Sequence, residues 1–110
     1  MMFNGIEHYD VFDDVVIFWI DLSDPPRSIQ RKARRIDKQE YTPNCFGLCV
    51  GYDVDSNEFY MVEDTIVNGQ RGNIYYIDNC GDKTWFKAEI TSELINEVFS
   101  ACKKELLKRG

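Results

Sequence analysis

Arg27, Arg31, Lys32, Arg34, Arg35 and Lys38 place six of the chain's thirteen basic residues within twelve positions. Guanidinium and ammonium groups at that density can meet phosphates or carboxylates through charge-assisted hydrogen bonds. Only Asp37 opposes them, so the segment carries +5 and the other 98 residues carry −11, in a 110-residue chain of net charge −6. Such a split within one small protein points to a polar contact surface without naming what it contacts. The competing reading is an ordinary solvated helix face.

Other residues with chemical potential are sparse. Nucleophilic catalysis through an imidazole would have to use His8, the only histidine, because the base must lie within hydrogen-bond reach of the nucleophile. His8 has Asp10, Asp13 and Asp14 nearby in sequence, and Asp21 and Asp24 flank the end of an apolar run. Carboxylates so placed could hold Mg²⁺ or Mn²⁺ for hydrolysis, but the same cluster also describes a solvated approach to a strand, and Asp24 suits a helix cap. The four cysteines do not pair by spacing. Cys45 and Cys49 on one strand would be roughly 13 Å apart, beyond disulfide reach, and Cys-x3-Cys followed by Cys80 and Cys102 lacks the paired knuckles of common zinc sites. Reduced thiols serving as small apolar residues are expected, with Cys102 on a helix core face and Cys80 at a turn. Walker, dinucleotide, nucleophile-elbow and HExxH signatures are absent, and no cofactor or metal is implied.

The basic segment needs an element to present it. At a helical period Ile29, Ala33 and Ile36 form a narrow apolar stripe, and Arg27, Arg31, Arg34, Arg35 and Lys38 project from the other side. Ser23 or Asp24 is expected to cap that helix, with Pro25 and Pro26 in its first turn. Val15 to Ile20 reads as a central strand covered on both faces. Cys45 to Tyr52 alternates Cys, Gly, Cys, Gly with Phe, Leu, Val, Tyr, so one face is small throughout and predicts close packing by a helix, with a ligand groove as the alternative.

Asp53 to Asn57 turns the chain into a hairpin partner at Glu58 to Glu63. A polar loop from Asn68 to Gly72 leads to Asn73–Asp78, and Asn79 to Asp82 turns into Thr84–Ile90, where alternation puts Phe86, Ala88 and Ile90 inside and Trp85 on the wetter side. Thr91 or Ser92 caps a last helix with Leu94, Ile95, Val98, Phe99, Cys102 and Leu106 on its apolar face; early Glu and late Lys suit its dipole. A short strand near Ile6 to Phe12 is an optional addition.

These elements predict one compact α+β domain over residues 1–110, in the order β-α-β-β-β-β-α, with a mostly antiparallel five-stranded sheet and helices mainly on one face. The intervening helix also permits a parallel, right-handed crossover between the first strand and Cys45–Tyr52. No apolar run is long enough to cross a bilayer and no leader pattern precedes the fold, so a cytoplasmic protein without membrane contact is expected.

Charge then ranks the functions. Residues 7–24 contain six acids and no Lys or Arg, and residues 40–82 contain eight acids against Arg71 alone. A pI near 4.7 opposes long-range attraction to phosphates. The leading expectation is therefore a non-enzymatic protein-binding module, an inhibitor or regulator of phage or mobile-element type acting on a nucleic-acid-handling protein through segregated acidic and basic surfaces. Arg27, Arg31, Arg34, Arg35, Lys38 and Trp85 are its candidate binding residues. The alternatives are nucleic-acid binding by helix 27–38, with Tyr75, Tyr76 or Trp85 as stacking platforms, and a small metal-dependent hydrolase using His8 and the nearby aspartates.

Overall fold

Alternation in β2 (Val15–Ser23) decides the layering, because Val16, Phe18, Ile20 and Leu22 are buried on one face while Val15, Ile17, Trp19 and Asp21 stay half-buried on the other. The computed structural model describes residues 1–37, 45–62, 65–67 and 70–109. Around β2 lie β1 (Met2–Val11), β3 (Phe46–Asp53), β4 (Glu58–Met61), β5 (Thr65–Val67), β6 (Gln70–Gly72), β7 (Ile74–Ile77) and β8 (Lys83–Phe86). The helices are α1 (Arg27–Asp37) and α2 (Ser92–Arg109).

The main sheet runs β1-β2-β3-β7-β8, with every pairing antiparallel. The far edge of β3 is divided: Phe46 and Gly47 pair with β7, and Val50 to Asp53 pair with β4. A single core joins the sheet to both helices, as one domain requires: Phe18, Ile20, Phe46, Leu48, Val50, Ile74, Tyr76 and Phe86 meet Ile29 and Ala33 of α1 and Leu94, Val98 and Cys102 of α2. We call this the inner face. The Thr91 hydroxyl caps α2 by accepting the Leu94 N–H at 3.2 Å, as Thr at an N-cap does.

Four expectations change. β2 and β3 are antiparallel, because Leu22 pairs with Phe46 and the excursion containing α1 returns to the sheet end it left. The N-terminal strand is ten residues long and pairs with β2 from Val16 to Ser23. Residues 70–72, read as loop, form β6 against β5 and lie beside β8. Among the described residues α1 starts without a side-chain cap: Ser23 ends β2, Asp24 has φ of 48°, and the Pro26 carbonyl accepts the Ile29 and Gln30 N–H groups. Lys38 and the break expected at 42–44 lie outside the described residues.

Asp78 builds the turn from β7 to β8. Its carboxylate accepts the Cys80 and Asp82 N–H groups and the Thr84 hydroxyl, and Gly81 takes the left-handed φ of 82° that the turn needs. Cys80 is thereby held at the surface; Cys45 is also exposed, and Cys49 and Cys102 are buried. Burial pushes both buried thiols up from 9.0 to about 12, with smaller additions from Asp10 at Cys49 and from Cys49 and Glu105 at Cys102.

The native state therefore keeps these protons when the unfolded chain loses them. Their contribution to stability is whole below pH 9 and falls as pH rises toward 12. Urea unfolding should show a lower midpoint at pH 10 than at pH 8, and Cys102→Ala should reduce that drop; the raised Tyr75 and Tyr76 hydroxyls act in the same direction. Two thiols should react with iodoacetamide in the native protein and four in denaturant.

Candidate functional site

α1 presents Arg27, Arg31, Lys32, Arg34 and Arg35 to solvent above its buried Ile29 and Ala33. Arg27, Gln30, Arg31 and Arg34 border a shallow groove of about 210 Å³. The Gln30 amide donates to the Pro25 carbonyl at 2.9 Å, and the Lys32 ammonium donates to the Lys87 carbonyl beyond β8. Those bonds fix the helix without using Arg31, so Arg31→Ala should change stability by no more than about 0.5 kcal/mol. A urea melt checks this.

The opposite, outer face of the sheet receives neither helix. Its floor is a second cluster of Cys49, Tyr75 and Trp85, packed against Ile17, Trp19, Val62 and Ile77. Trp19 is its hub: the His8 ring stacks on it at 5.8 Å and 23°, and Tyr75 and Trp85 meet it at 6.0 and 6.1 Å. Lys83 holds its ammonium 4.9 Å from the Trp19 ring centroid and 5.5 Å from that of Tyr75, so these rings already accept a cation. Trp19 also donates its indole N–H to Asp10 at a long 3.4 Å.

This arrangement corrects two readings. The small face of β3 is covered by aromatic rings of its own sheet, since a Cβ at Gly47 would collide with Tyr75 and one at Gly51 with Tyr60. It is not a helix seat, and only its Cys45 end borders an open pocket. Trp85 is fully buried, and Tyr75 and Tyr76 are 2% and 1% exposed, so none of the three presents a ring face for a base to stack on. Trp85 fails as a contact residue because both faces of β8 are covered, which alternation alone cannot reveal.

At one end of the outer face lies a pocket of about 420 Å³ lined by Asn4, Glu7, Asp21, Cys45, Tyr75 and Ile77, among others. β1 shapes it through two irregularities, between Phe3 and Gly5 and between Ile6 and His8. The extra residues, Asn4 and Glu7, have no partner on β2, and both line the pocket. A bulge re-aims its side chain in this way. Asn4 donates its amide to Asp21 at 2.6 Å. Burial raises the Tyr75 hydroxyl pKa, and Glu7, Cys49, Asp21 and Cys45 add to the rise. Gly5 inside a strand is the one sequence signal for this distortion.

The acids grouped by sequence do not converge. Asp21 stands seven residues along β2 from Asp14, roughly 23 Å at about 3.3 Å per residue, and His8 is committed to Trp19. Among the described residues no three His, Cys, Asp or Glu side chains are placed to share an ion. None of the helices described is long and apolar enough to cross a membrane.

Fold and site together define the class: a small α+β domain whose antiparallel sheet carries both helices on one face and an acid-edged aromatic floor on the other. The chain matches no protein-family model, and no curated protein or solved structure matches it.

Proposed function

We propose that the protein is a non-enzymatic binding module, an inhibitor or regulator that docks its outer sheet face on the basic surface of a nucleic-acid-handling protein. The observation that carries this reading is the separation of charge across the fold. Glu7, Asp10 and Asp21 lie on or beside a helix-free aromatic face, and the five described bases of α1 occupy a helix packed on the inner face. A positively charged channel attracts such a face over about one Debye length, roughly 8 Å at physiological salt, and carboxylates beside aromatic rings pair with its Arg and Lys side chains.

The test is salt-resolved affinity capture from a host lysate by the parent protein, by Asp10→Asn/Asp21→Asn and by Arg31→Glu/Arg35→Glu. The parent and the α1 variant should retain one protein whose nucleic-acid binding the free chain displaces, and the acid-face variant should not. Equal capture by the acid-face variant, or nucleic-acid binding undisturbed by the chain, overturns the proposal.

A second reading rests on the groove bordered by Arg27, Arg31 and Arg34: α1 binds nucleic acid through phosphates alone, the expected stacking rings being buried. Replacing Arg31 and Arg35 with glutamate should then abolish retention on single-stranded DNA and flatten its salt dependence. Retention by that variant, or none by the parent, ends this reading.

A further inference from the structure

We infer that the pocket between β1, β2 and β7 is a receptor for an arginine side chain of the protein partner. The inference deepens the proposed docking of a basic protein and rests on it. Three observations combine. The site is concave, and its volume of about 420 Å³ falls within the roughly 300–1,000 Å³ of ordinary ligand pockets. Its two bulge residues are both polar, Asn4 and Glu7, and they line its exposed rim together with Asp21. Tyr75 also lines it and is 2% exposed.

These groups select a long cationic side chain. Ile77 offers apolar wall to the methylene stem, as snorkelling bases require. Glu7 makes no hydrogen bond or ion pair with another described residue, and Asp21 is oriented by Asn4; two carboxylates suit the planar fork of a guanidinium better than the point charge of an ammonium. No Lys or Arg lines the pocket. Lys83 is the neighbouring cation, and it stands over the Trp19 and Tyr75 rings. A phosphate or carboxylate ligand would face Glu7 and Asp21 with like charge and is excluded on that ground.

The experiment titrates the full-length ¹⁵N-labelled chain at low salt with hexa-arginine amide, and with its hexa-lysine and hexa-citrulline counterparts. Hexa-arginine should shift the amide signals of residues 4–7, Asp21, Cys45 and Tyr75, hexa-lysine should bind more weakly, and hexa-citrulline should not bind. Glu7→Gln, which breaks no internal contact, should weaken hexa-arginine about tenfold, and Asp21→Asn should do the same with an unchanged melting temperature. If hexa-arginine instead shifts only His8, Asp10 and Trp19 and ignores Glu7→Gln, the pocket assignment falls and outer-face docking stands. If it binds nowhere on the outer face, both fall.

Discussion

Gly47→Ala is expected to lower the free energy of unfolding by about 3 kcal/mol, with the urea midpoint falling and its slope unchanged. A Cβ there would sit 2.6 Å from the Ile20 carbonyl oxygen and would overlap the end of the Tyr75 ring. Neither neighbour can yield. The carbonyl belongs to the paired backbone of β2, and Tyr75 is wedged between Trp19 and Trp85. Alanine recovers up to about 1 kcal/mol by restricting the unfolded chain, which is small beside the overlap. Gly51→Ala is the control: the three atoms nearest its Cβ all belong to the side chain of Tyr60, which is 43% exposed and can swing outward, so a cost under about 1 kcal/mol is expected. Equal losses at the two positions would refute the packing assigned to the outer face.

Trp85→Ala is expected to cost about 3–5 kcal/mol, the range for removing a large buried aromatic. Its ring is fully buried and packs on Tyr75 at 5.0 Å and on Trp19 at 6.1 Å. Trp85→Phe should recover part of the loss, because the buried indole N–H has no hydrogen-bond partner among the described residues and its removal leaves no acceptor orphaned. Near-ultraviolet circular dichroism and urea unfolding measure both effects. Partner capture by Trp85→Phe should match the parent, since the ring never reaches the surface. A variant of parental stability that lost capture would return Trp85 to the contact residues and remove it from the packing.

The elements that sequence alone revealed are those with a strong period. Ile29 and Ala33 against five bases specify α1, Thr91 and the Leu94–Val98–Cys102 row specify α2, and the apolar run from Val15 specifies β2, because each pattern is local and an amphipathic face must be buried somewhere. Lys38 belongs to the same basic segment, but it lies beyond the described helix. The turn at Asn79 to Asp82 was legible for the same reason, its Asp and Gly chemistry being contained in five residues.

What the tertiary structure decided is which faces are covered and which distant residues meet. Trp85 sits in an alternating strand and reads as wet until β7 and β2 bring Tyr75 and Trp19 against it. The pocket depends on Asn4, Glu7, Asp21, Cys45 and Tyr75, spread over seventy-two positions of the chain, and on two bulges that shift the β1 register by one residue each time. A bulge turns a side chain from one face to the other without any change in composition. Charge segregation along the chain was therefore readable from residue types, whereas its separation between a helix on the inner face and the open face of the sheet arose only from strand order and register, which are non-local.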